Sequence, residues 1–103
     1  MRIIKLKTLK EFWEQLPEAN MRQQAEQALL AWHAEAKAAE WQNSADIKGK
    51  YKNASILKDS RVVFNICGNK YRLIVKINYP FSTIYIRFIG THKEYDAIDA
   101  EVI

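Results

Sequence analysis

Cysteine occurs once in the 103 residues, at Cys67, so no intramolecular disulfide can form and no thiolate cluster is available for a metal. The two histidines, His33 and His92, lie far apart in sequence and make no zinc signature. Three glycines and two prolines are too few for a phosphate-binding loop, a dinucleotide fingerprint or a flexible linker. No serine stands in a context suited to Ser-His-Asp catalysis. No apolar run reaches the length of a leader or a membrane span, and no internal repeat is present. These absences lead to an expectation of a reducing, cytoplasmic setting with no membrane contact, no metal and no cofactor.

The length suits a single domain, residues 1–103, and the 49% apolar content suffices for one modest core. The formal net charge is +4 and the sequence pI is near 9.2, which favours an anionic partner. The charge is unevenly spread. Between Asp46 and Lys76 stand Lys48, Lys50, Lys52, Lys58, Arg61, Lys70, Arg72 and Lys76, against Asp46 and Asp59. Glu94, Asp96, Asp99 and Glu101 reverse the sign at the far end. The middle of the chain is therefore the expected footprint for nucleic acid, although a solvated lysine face would produce the same pattern.

The clearest structural signals lie in Arg61–Asp96. Arg61–Cys67 and Lys70–Tyr79 are rich in Val, Ile, Phe and Tyr, and Gly68-Asn69 between them reads as a two-residue hairpin turn. That turn sets Asn65 opposite Arg72 and Val63 opposite Ile74. Period-two alternation then puts Phe64, Ile66, Tyr71, Leu73, Val75 and Ile77 on a core face, with Asn65, Arg72 and Lys76 on the other. Tyr79-Pro80-Phe81-Ser82 reads as a second turn, and Thr83–Ile89 as a third strand ending at Gly90. With Pro80-Phe81 at the tip, Arg87 falls opposite Ile74, and His92 emerges at the sheet end near Arg72.

Upstream, Arg2–Lys7 alternates and reads as a short edge strand carrying lysines. Thr8-Leu9-Lys10-Glu11 matches a capping box for a helix from Leu9 to Gln15, with Leu9, Phe12, Trp13 and Leu16 as its apolar side. Pro17 ends it and suits the first position of the next helix, Glu18–Glu40. Met21, Ala25, Ala28, Leu29, Trp32, Ala36 and Ala39 make a narrow stripe there, fit for a neighbouring helix or sheet, or for a partner. Trp41–Ser60 is a connection anchored by Trp41, Ile47, Tyr51, Ile56 and Leu57, with a cap at Asn43-Ser44. Ala97–Ile103 reads as a short helix or a docked tail.

What remains for chemistry is Arg72, Lys76, Arg87, His92, Lys93 and Tyr95, with Asn65 nearby and no carboxylate committed to them. Such a group suits cleavage of RNA, whose 2′-OH supplies the nucleophile. Imidazole changes charge near neutral pH and can carry a proton on either side of the reaction. Arginine and lysine match the charge that develops on phosphate oxygens, and tyrosine can stack on a base. On residue types alone, an inert exposed sheet face accounts for the same residues.

RVVFNICGNKYRLIVKI followed by IYIRFIGTHKEYDAI resembles the HigB toxins, relatives of the RelE-like ribonuclease toxins of bacterial type II toxin–antitoxin systems. FWEQLPEA, ALLAW, KAAEW and SADIKGKYKNASIL also fall where such toxins carry related segments, so the likeness covers nearly the whole chain. The resemblance implies an α+β fold, with two N-terminal helices packed on a small antiparallel sheet. It implies a messenger-RNA endonuclease acting on ribosome-bound messages. It also implies a HigA-type antitoxin with a helix-turn-helix, through which alone DNA would be contacted. By the same resemblance Arg72 would hold phosphate, His92 would move a proton, and Tyr95 would place a base. Val63 and Asn65 stand where RelE carries lysines, so Lys93, Lys76, a basic loop residue or His92 alone could serve as base.

The sequence therefore leads to a metal-independent endoribonuclease with Arg72, His92 and Tyr95 as catalytic residues. Lys48, Lys50, Lys52, Asn65, Lys76, Arg87 and Lys93 are its expected RNA contacts. Two rivals remain: a non-catalytic RNA- or ribosome-binding protein that uses the same basic surface, and an interaction module whose Ala-rich helix binds a partner helix.

Overall fold

The computed structural model describes residues 1–103. In chain order the elements are β1 (Arg2–Ile4), α1 (Lys7–Glu14), α2 (Ala19–Ala38), α3 (Ser44–Lys50), β2 (Ser55–Ile56), β3 (Arg61–Ile66), β4 (Tyr71–Asn78), β5 (Thr83–Thr91) and α4 (His92–Asp96). The class is α+β. The sheet has five strands in the order β1-β5-β4-β3-β2. It is mixed rather than antiparallel: β1 runs parallel to β5, with Arg2 opposite Thr83. A hairpin forces antiparallel pairing, but β1 is joined to β5 by almost the whole chain, so no turn dictates its direction.

The expected core face is buried throughout. Phe64, Ile66, Tyr71, Leu73, Val75 and Ile77 are joined by Ile84, Ile86 and Ile89 of β5. Against them pack Leu9 and Phe12 of α1, and Ala25, Leu29, Trp32 and Ala36 of α2. The Phe12 ring meets Tyr71 edge-on at 5.1 Å, and Trp32 meets Phe64 at 5.5 Å. The alanine stripe thus packs inside the protein, where small side chains let α2 approach its neighbours. Each fully buried Leu, Ile or Phe contributes about 1.5–3 kcal/mol.

Several local expectations are corrected. α1 begins at Lys7 with Leu6 as its cap and no side-chain cap bond, so Thr8 lies inside the first turn and its capping box does not form. Pro17 precedes α2, whose cap is Glu18. The connection contains a third helix, capped by Asn43 accepting from the Asp46 N–H, and the short strand β2. Ile56 on that edge strand is exposed rather than an anchor. β5 runs past Gly90 to Thr91.

Both turns form where expected. Lys70 N–H donates to the Cys67 carbonyl at 3.3 Å, and Ser82 N–H to Tyr79 at 3.1 Å. Gly68 takes φ +67°, as the first central residue of such a hairpin requires, and Cys67 itself sits at φ +54°. The β3–β4 register is as expected, with Asn65 opposite Arg72 and Val63 opposite Ile74. The β4–β5 register is as expected only as far as Val75 opposite Ile86. A bulge then inserts Arg87, and Ile74 faces Phe88 instead. The extra residue keeps Ile89 on the core face with Ile84 and Ile86.

The outer face of the sheet is partly roofed by residues 97–103. Arg61 Nε and Arg87 Nε donate to the Ile103 carbonyl at 3.1 and 3.3 Å, and Lys58 pairs with Glu101 at 3.2 Å. Val63 and Ile74 on this face are buried. No helix is long and apolar enough to cross a membrane.

Candidate active site

Arg72 lies one residue into β4 from the hairpin, between Asn65 on β3 and Gly90 on β5. Its terminal nitrogen donates to the Asn69 carbonyl at 3.1 Å, so the turn itself steers the guanidinium. Beyond Gly90 a capping box starts α4 at once. Thr91 Oγ1 accepts from Glu94 N–H at 3.1 Å, and the Glu94 carboxylate accepts from Thr91 N–H at 2.8 Å. His92 N–H donates to the Lys70 carbonyl at 3.2 Å, which ties α4 to the hairpin. Tyr95 then places its ring 5.9 Å beneath the Arg72 guanidinium, within cation–π range.

One helical turn separates His92 from Asp96, and His92 Nδ1 meets the Asp96 carboxylate at 3.1 Å. That contact orients the ring and directs Nε2 away from Asp96. Both side chains are more than half exposed, so the pair is open to a large ligand and adds little stability by itself. Asp96 is the functional candidate that sequence reasoning missed. The signal was present: Thr91-His92-Lys93-Glu94 is itself a capping box, and a helix started there puts His92 and Asp96 on one face.

The remaining expected contacts divide into groups. Asn65 donates to the Asn53 carbonyl at 3.4 Å, which brings the basic loop beside Arg72. Lys48 is spent on structure, its ammonium donating to the carbonyls of Lys52 (2.7 Å) and Ala54 (2.8 Å). Lys50 pairs with Glu35 at 3.2 Å. Lys52 on the loop and Lys93 on α4 are exposed. Lys76 and Arg87 are not brought to the Arg72 cluster. Lys76 stands four residues further along β4, about 13 Å away at strand rise, opposite Arg61 and Tyr85.

Cys67 offers no nucleophile. Burial pushes its thiol above the ordinary range, against the opposing effect of Lys70, and Sγ lies 3.6 Å from the Gln24 carbonyl. The reactive capacity of the site therefore rests on one guanidinium, one phenol and one oriented imidazole, gathered at an open sheet end.

Fold and site together define a small α+β protein that gathers a cation, an aromatic ring and a carboxylate-held imidazole at one open end of its sheet. Residues 25–98 match the family model for the HigB toxin, described as the RelE-like toxic component of a toxin-antitoxin system, and the chain belongs to that family. The match takes in Arg72, His92, Tyr95 and Asp96. Among similar curated proteins are the "mRNA interferase toxin HigB" of Escherichia coli (strain K12) and the "mRNA interferase HigB" of Shigella flexneri. Each is 40% identical over 42 residues, which is 41% of this chain and 40% of the relative. The aligned stretch thus spans about two-fifths of these relatives' length.

Proposed function

We propose that the protein is the toxin of a toxin–antitoxin pair and an endoribonuclease that cuts messenger RNA on the ribosome. The convergence of Arg72, Tyr95 and the His92–Asp96 pair carries this reading. The names of the similar proteins, which describe messenger-RNA interferases, support it. The substrate's 2′-oxygen attacks the adjacent phosphorus and the bond to the 5′-oxygen breaks. A 2′,3′-cyclic phosphate and a 5′-hydroxyl remain. One proton leaves the 2′-oxygen and one reaches the 5′-oxygen, and His92 Nε2 carries one of these transfers while Asp96 holds the ring. Arg72 donates to the non-bridging phosphate oxygens as their charge grows, and Tyr95 places the neighbouring base.

The reading treats residues 1–103 as one catalytic domain. It includes a HigA-type antitoxin that neutralises the toxin and alone reaches DNA. The test is induced expression of wild type, Arg72→Ala and His92→Ala in a bacterial host, with growth followed and message 5′-ends mapped. Wild type should arrest growth and create new ends inside translated messages. His92→Ala should lose about 10²–10⁴-fold in cleavage, and Arg72→Ala about 10²–10³-fold. A well-folded His92→Ala protein that still cuts at the wild-type rate would overturn the assignment. Arrest without cuts would instead identify a ribosome binder.

A further inference from the structure

A concavity of about 470 Å³ opens at the end of the sheet remote from the hairpin and α4, lined among others by Ser60, Lys76, Asn78, Tyr79, Tyr85 and Arg87. Lys76 and Tyr85 are cross-strand partners, and the bulge sets Arg87 beside them. The lining carries two cations and no carboxylate. Lys76 makes no ion pair within the chain, whereas Lys50, Lys58 and Arg61 each have a carboxylate partner. Arg87 donates from Nε to the Ile103 carbonyl, and its terminal nitrogens make no ion pair. Lys76 thus has no counter-charge within the chain, and an anion placed beside it and Arg87 is attracted by both. Tyr85 is 39% exposed although it lies mid-strand, so part of its ring is open to a ligand. Burial pushes the Tyr79 phenol above its ordinary range, so it stays a neutral donor.

A phosphate attached to a planar base satisfies all of these features. Cationic tracking of the backbone combined with aromatic stacking is how proteins hold single strands. We infer that this concavity is a second subsite for single-stranded RNA, holding a phosphate between Lys76 and Arg87 and a base against Tyr85. The choice of RNA as the polymer rests on the nuclease reading above. Lys76 stands about 13 Å from Arg72 along β4, and residues 97–103 partly roof the face between them, so a strand that reaches both sites passes over that tail.

The experiment measures binding of a labelled single-stranded RNA oligonucleotide to the His92→Ala protein over a range of salt. Lys76→Ala with Arg87→Ala should weaken binding about tenfold or more and lower the slope of log affinity against log salt by about 0.7, the value for one phosphate contact. Lys76→Ala alone, at an exposed position, should move both in the same direction. Tyr85→Ala should weaken binding roughly fivefold to hundredfold, and Tyr85→Phe should restore it. Parental affinity and slope in the double variant, with an unchanged melting curve, would overturn the inference. So would unchanged RNA binding coupled to loss of a protein partner, which would make the concavity a protein contact. Lys76- and Arg87-dependent binding by a wild type that cuts no message would remove the nuclease reading and leave this subsite standing.

Discussion

Gly90 shows how one missing side chain builds the candidate site. A Cβ there would lie 2.5 Å from the end of the Phe88 ring and 3.2 Å from Glu94 Cβ. The empty space lets Phe88 fold over the strand and lets the first turn of α4 sit directly beyond it, opposite Arg72. Gly90→Ala should therefore destabilise the protein by about 1–3 kcal/mol, the usual range for overpacking. Denaturant unfolding checks this; a midpoint equal to wild type would show that Phe88 swings aside at no cost. The sequence makes Arg72 legible because the Gly68-Asn69 turn fixes its register, and His92 legible because it follows the last strand. It leaves Lys76 and Arg87 misgrouped, because alternation reports which face a residue occupies and not how far along the sheet it stands.

The elements are tied by a polar contact as well as by packing. Tyr51, just after α3, donates its hydroxyl to Glu35 of α2 at 2.6 Å, and Lys50 joins the same carboxylate. The Tyr51 ring also meets Phe64 at 5.0 Å, so Tyr51→Phe removes the hydroxyl and keeps the packing. It should cost about 0.5–1.5 kcal/mol near neutral pH. The hydroxyl first, and then Lys50, hold the Glu35 carboxyl below its ordinary value of 4.5, against the opposing effect of burial. A carboxyl depressed by folding contributes stability above its unfolded value and loses it as pH falls through the folded one. The gap between wild type and Tyr51→Phe should therefore narrow below about pH 4.5. Unfolding curves at several pH values check this, and a gap that widens in acid would refute it. At this scale the β3–β4 hairpin is legible because turn chemistry and alternation agree. The bulge is not. Period two from Ile84 and Ile86 leads to Phe88, whereas the core takes Ile89, and only the packing of the folded sheet decides between them. The parallel direction of β1 is equally hidden, since it depends on where a long helical crossover returns the chain.

Over the whole molecule, the sign change along the sequence becomes a contact in space. The chain carries +4 formal charges, yet its acidic end folds back onto the basic outer face through Lys58–Glu101 and the two arginines that donate to Ile103. The sequence shows the two blocks of charge; only the fold brings them together, because the turn into α4 reverses the chain toward the sheet. If RNA runs along that face, the tail's carboxylates oppose it from within a screening length. Asp99→Asn with Glu101→Gln removes two negative charges and the Lys58 ion pair, while the new amide oxygen at position 99 can still accept from the N–H of residue 101. At low ionic strength the variant should bind single-stranded RNA up to about fivefold more tightly, corresponding to ~1 kcal/mol at the upper end for exposed charges. The gain should appear mainly in the association rate, because surface charge steers encounter. It should fade as salt shortens the Debye length to about 8 Å at 0.15 M and below. Stopped-flow association across a salt series separates the two explanations. A gain that persists at high salt would mean that the tail blocks the face by occupying it, with its charge of little consequence.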